Sequence, residues 1–248
     1  MEVARKRIEE ISKLIEQGKG TSADLLEQGL LLQSLGCTHE AREAFSRGLV
    51  LDPFHIELRQ QRARKNMVDN HWQAISDFTL VSILSPDYWE VWYYMGVAYS
   101  FIREYEKAYD SLTTCLEKAT RAGASLVPVV DWLWTLGKRL GLPDVDSCLD
   151  LIGPDAELSE DDYSYFRRLM LYKGLLAPEG FFDWGELERR GNSDVDFVTQ
   201  AYGLATWHYF RGEAEESNRL LLQIRERDSF PTAFAYFHAM QDIEERGL

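Results

Sequence analysis

The sequence predicts an all-α protein, a right-handed superhelical array of antiparallel helix pairs closed at both ends by capping helices. Three observations predict it. Small and bulky residues recur in register every 33 or 34 residues through the first half of the chain. Apolar residues three and four apart run through most of the remainder, as one face of a helix requires. The β-branched run Val127-Pro128-Val129-Val130 holds a proline and leads into helical spacing, which argues against a strand. A period in this range belongs to stacked helical hairpins.

The recurring positions have separate physical roles. Gly29, Ala63 and Gly96 fall where the first helix of each pair crosses its neighbour, and Ala41, Ala74 and Ala108 do the same on the second. A larger side chain there would push the helix axes beyond their usual ~8–10 Å. Phe45, Phe78 and Leu112 follow those alanines by one helical turn, share their face and fill the seams. Pro53 and Pro86 end the second helices, because proline lacks a backbone donor and clashes with the preceding turn. Each pair leaves an apolar face bare until the next one covers it.

The elements follow in order. A capping helix over 1–20 sets Ile8, Ile11, Leu14 and Ile15 on one face, and Gly18-Lys19-Gly20-Thr21-Ser22 ends it and caps the next helix. Three repeats fill 22–121. Divergent helical hairpins occupy 122–192, beginning with a helix from about Ser125 to Leu140 that stops at Gly141 and Pro143. A short helix then reaches Ile152. Ser159 caps a helix carrying Tyr163, Phe166, Met170 and Leu171. Pro178 begins another, through Phe182 and Leu187 to Arg190. Gly191-Asn192-Ser193 separates it from a further hairpin over 193–228. A capping helix over 229–248 opens at Pro231 and lines up Phe234, Phe237 and Met240. No linker interrupts the series, so a single array over 1–248 is expected.

Composition narrows the partners. The net charge of −14 repels phosphate backbones and anionic lipid, so neither nucleic acid nor a membrane surface is expected; a basic or apolar peptide is the better fit. No run of eighteen apolar residues exists to span a bilayer. Cys37, Cys115 and Cys148 are an odd, scattered set, which suits reduced thiols in the cytoplasm. The first residues lead into an amphipathic helix rather than an apolar signal core.

Trp92, Met95, Gly96, Tyr99, Tyr105, Ala108, Leu112 and Cys115 form the strongest copy, and Leu25, Gly29, Leu32, Gly36, Ala41, Phe45, Gly48 and Pro53 an earlier one. At these positions the chain resembles the tetratricopeptide repeat (TPR) family, whose unit is a helix pair of about 34 residues. The middle copy departs from the pattern at Arg62 and Lys65, where the family keeps apolar residues. The likeness lapses for some 75 residues and returns at Ala205, Gly212, Ala214, Ser217 and Leu221. The resemblance implies a non-catalytic adaptor or scaffold that holds a peptide or partner protein in a groove lined by first helices. Leu26, Leu30 and Gln33, then Gln60, Arg64 and Met67, then Tyr93, Tyr94, Val97 and Ser100 are the expected lining. Tyr93 and Tyr94 would lie flat against a bound chain, and Arg64 would grip a carboxylate at two points. The alternative is that these side chains pack within the array or pair with a neighbouring acid. The resemblance does not extend to the chaperone-binding clamp of some members, because Leu26 and Leu30 stand where polar groups are needed.

No catalytic motif, metal-ligand spacing or cofactor signature is present. Gly18-Lys19-Gly20-Thr21 lacks the upstream glycine of a phosphate loop. The five histidines lack metal-ligand spacing, and His39 and His71, near turns, are expected in solvent. His208 and His238 are expected to face one another from adjacent helices, either as a buried, hydrogen-bonded pair or, alternatively, as a second candidate site that touches a ligand. Two other readings stand beside the adaptor. Aromatic surfaces could pair two copies into a homo-oligomer. Alternatively, the divergent middle or C-terminal section holds the pocket of an enzyme or small-molecule sensor.

Overall fold

In a computed structural model, residues 1–191, 193–227 and 233–248 are described, Ser193 by its backbone alone. They are helical almost throughout, with no strand among them. Asn192 and Pro231, expected at a break and at a helix start, lie outside the described residues. The chain forms two compact units, Met1–Ile102 and Arg103–Leu248.

The first unit holds α1 (Glu2–Glu16), α2 (Ser22–Ser34), α3 (Thr38–Leu51), α4 (Ile56–Asn66), α5 (His71–Leu84) and α6 (Trp89–Phe101). The expected cap is in place: the Thr21 hydroxyl accepts the Asp24 amide, and the Asp24 carboxylate accepts the Thr21 amide at 2.9 Å. Pro53 and Pro86 follow the ends of α3 and α5, as the spacing predicts. Gly29, Ala41, Ala63 and Ala74 are buried, and so are Phe45 and Phe78. Burying each ring contributes about 1.5–3 kcal/mol relative to leaving it in water. Ile11 buries α1 against α2, supported by Gln28 donating to Ser12 at 2.9 Å and by a two-point Arg7–Glu27 pair at 2.7 Å.

Between α4 and α5 lies a charge cluster. Asp77 is 0% exposed, yet its carboxylate accepts bonds from Arg59 at 2.7 Å and from Arg62 at 2.8 and 2.7 Å. This explains Arg62 at a place where the repeat pattern is apolar. His71 is half-buried against Phe101, with its ring nitrogen on the Met67 carbonyl, rather than solvated as expected.

The second unit holds α7 (Tyr105–Ala122), α8 (Val127–Arg139), α9 (Tyr163–Tyr172), α10 (Trp184–Arg190), α11 (Ser193–Phe210), α12 (Ala214–Arg225) and α13 (Phe234–Arg246). The short helix near Ile152 is a 3-10 turn over Val145–Leu151. Gly123 closes α7 at φ +64°, a conformation in which other residues are strained. Ser217 donates to the Ala205 carbonyl at 2.7 Å, so α11 and α12 meet through the small residues that mark the last repeat.

Two expectations fail here. The helix expected from Pro178 to Arg190 begins only at Trp184. Phe181 turns into the core, and the Asp183 carboxylate caps the late start by accepting the Glu186 amide at 3.0 Å. On α13 the buried face is Ala235, His238, Ala239, Asp242 and Ile243, whereas Phe234, Phe237 and Met240 are half-buried. Asp242 takes an inward position because Arg139 of α8 and the Tyr202 hydroxyl of α11 partner it there.

Candidate functional site

Helix α4 carries four cations, and helical geometry sorts them. Arg59 and Arg62, three apart, turn together toward Asp77. Arg64 is two residues on, about 200° around the helix, and faces away. It is exposed, and its guanidinium lies 4.7 Å from the centre of the Tyr94 ring. Tyr94 stacks on buried Phe78 with ring centres 6.0 Å apart, and Tyr93 meets Tyr94 edge-on at 5.3 Å. Beside them Tyr88 donates to Glu90 at 2.6 Å and bonds Gln60; burial and then Glu90 push its phenol up to about 12, so it stays neutral. The result is a half-exposed aromatic ledge on α4 and α6 carrying one fixed cation.

Of the groove residues expected from the sequence, Gln60, Arg64, Tyr93 and Tyr94 thus come together. Gln33 is exposed near the end of α2. Met67, Val97 and Ser100 are corrected: all three are buried, and the Ser100 hydroxyl donates to the Val97 carbonyl, so they offer a partner nothing. Leu26 and Leu30 pack against the cluster around Phe45 and Leu58.

The histidine pair is also corrected. His208 bonds the Glu213 carboxylate at 2.6 Å and meets Trp207 edge-on. His238 is buried between Trp132 and Tyr202, at 5.1 and 6.0 Å. Burial, then the charges of Arg139 and Arg168, hold it well below its ordinary 6.5. The two rings serve different neighbourhoods.

His238 belongs to a polar interior that sequence reasoning missed. Arg168, 1% exposed, reaches Asp131 at 2.9 Å and Tyr172 at 3.1 Å. Burial pushes the Asp131 carboxyl upward against the pull of Arg168. Gly203 leaves the room that the Arg168 side chain occupies. Arg139 joins Asp242 at 2.7 Å and Tyr202 at 2.8 Å. These pairs tie α8, α9, α11 and α13 together. A lone acid inside the apolar run Val129-Val130-Asp131-Trp132-Leu133 was the signal available in the sequence. Among the described residues no group of three or more His, Cys, Asp or Glu side chains is placed to hold a metal.

No family model and no curated protein matches the sequence. Solved structures do match it. A tetratricopeptide repeat protein from Parabacteroides merdae superposes with a TM-score of 0.55 at 13% identity, over 96% of this chain and 98% of that one. MamA superposes with a TM-score of 0.52 at 18% identity, over 68% of this chain and 87% of that one. At such identities the likeness concerns the fold, and the fold is the helical repeat of the tetratricopeptide type.

Proposed function

We propose that this chain is a non-catalytic interaction module that receives an extended segment of a partner protein on the α4–α6 ledge. The observation that carries this reading is Arg64. Its planar head is held over Tyr94, and among the described residues no carboxylate pairs with it. A guanidinium fixed in that way can take an incoming carboxylate through two parallel hydrogen bonds. Tyr93 and Tyr94 supply apolar faces and hydroxyls to the residues on either side of that carboxylate. The favoured partner therefore presents one acid flanked by apolar or basic residues, since further acids would meet the net negative chain. The three free cysteines fit a reducing, cytoplasmic setting, and no helix among the described residues is long and apolar enough to cross a membrane.

The test is an array of immobilised peptides, each with one carboxylate between apolar residues. The wild-type chain should retain a subset of them. Arg64→Ala combined with Tyr93→Ala should lose that subset while the melting temperature stays put, because both side chains are partly exposed. An unchanged binding pattern in the variant would refute the assignment.

A further inference from the structure

The second helices of the regular pairs, α3 and α5, each run 14 residues, and α12 runs 12. α10 runs 7. It packs on α11, where Trp184 stacks on Phe197 with ring centres 5.6 Å apart. The stretch that a full-length helix would have used, 178–183, is instead a 3-10 turn followed by an irregular link. Arg167 holds it open, donating to the Phe181 carbonyl at 3.0 Å and to the Gly180 carbonyl at 3.2 Å.

A groove of about 930 Å³ runs along α11 and α12, bordered by Pro178, Glu179 and Phe182 of that stretch. Its floor is apolar: Phe182, Trp184, Phe197, Leu204 and Leu220. Trp184 is 53% exposed although it stacks on both Phe182 and Phe197. The size is informative. A helix of seven residues is roughly 10 Å long and about 10–12 Å across, so it occupies on the order of 800–1200 Å³. A groove of this volume has room for about two turns of helix.

The rim says what chemistry fits. Arg219 is matched by Glu216 at 2.6 Å, and Arg227 by Asp194 at 2.9 Å while it covers Phe197. Glu179 and Glu226, both exposed on the rim, are matched by no cation among the described residues. Two free acids around an aromatic floor call for cations beside an apolar face.

We propose that this groove takes a two-turn helix of a partner protein, with its apolar side on Trp184 and Phe197 and its lysines or arginines at Glu179 and Glu226. The partner supplies in trans the turns that α10 omits. This site is independent of the Arg64 ledge and requires nothing of it.

The test begins with random peptides displayed on phage and selected against the full chain. The consensus peptide is then synthesised with a fluorescent label and titrated by anisotropy. The expected consensus sets apolar residues three or four apart with basic residues between them, and circular dichroism shows the peptide turning helical as it binds. Trp184→Ala should weaken binding at least tenfold. Glu179→Lys with Glu226→Lys, both on exposed side chains that leave the core untouched, should do the same. Arg64→Ala with Tyr94→Ala should leave affinity as it was, which separates this site from the ledge. The idea is overturned if no enriched peptide depends on Trp184, that is, if every one binds Trp184→Ala as tightly as wild type, or if the peptides that do depend on it are acidic. It is equally overturned if the chain proves to be a dimer that Trp184→Ala dissolves, since the occupant would then be a second copy.

Discussion

A methyl group added at Gly29 would lie within 2.8 Å of three ring atoms of Phe45. Two effects compete there. Alanine is the better helix former by roughly 0.8–1 kcal/mol, whereas overpacking a closed core costs about 1–3 kcal/mol. Phe45 is fully buried and has nowhere to swing, so the collision prevails. Gly29→Ala should lower stability by about 1 kcal/mol in urea denaturation. An equal or higher midpoint would mean that the seam between α2 and α3 has slack. The glycine was readable in the sequence because its role is steric and repeats with the period. Arg64 was readable for a similar reason, standing at a groove position of the repeat. Met67, Val97 and Ser100 share that spacing, but the seam had already absorbed them, and repeat spacing alone does not distinguish the ledge from the seam.

At the scale of elements, α4 is the instructive case. Its sequence looks like a damaged repeat because Arg59 and Arg62 face a carboxylate on another helix, and such a pairing is invisible until α5 is placed. Removing the acid alone leaves two partly buried cations facing each other, a loss of about 3–5 kcal/mol for a broken buried pair. Asp77→Ala should therefore be severely destabilised in denaturant titrations. Replacing all three residues with apolar ones of similar volume should recover most of that loss. If Asp77→Ala melts like wild type, the cluster contributes little to the α4–α5 contact. Helix α10 shows the opposite limit of reading from sequence. Pro178, Leu187 and the arginines looked like one continuous helix. Gly180, Asp183 and an aromatic that prefers the core divided it, and those breakers were present in the sequence but outweighed by the periodicity.

At the scale of the whole molecule, His238 couples stability to acidity. Its folded-state pKa is depressed, so protons bind preferentially to the unfolded chain. Its contribution is complete above the unfolded value near 6.5 and is lost as the pH falls below it. Between pH 6 and pH 5 the wild type should lose up to about 1.4 kcal/mol per pH unit more than His238→Gln. Asp131, shifted upward, acts in the opposite direction but is common to both chains, so the difference isolates the histidine. Parallel pH profiles for the two chains would show that the imidazole gains its proton without opening the core. The regular repeats of 22–121 were legible because local spacing specifies them. Within 122–192 the helices at Val127–Arg139 and Tyr163–Tyr172 were legible by the same spacing, whereas the charge pairs between distant positions that hold that part together were not.

One of those pairs has a consequence for how the chain comes into being. Arg139 and Asp242 are separated by 103 positions. On a ribosome, the early helix pairs can close as soon as each emerges, since their contacts join near neighbours in the chain. The later unit has to wait. Until its final helix leaves the exit tunnel, Arg139 has no counter-charge to bury against, and the helix that bears it stays wet and unfinished. Premature termination before that point would yield a product with a settled front and an unsettled back, the kind of half-made molecule that quality control removes.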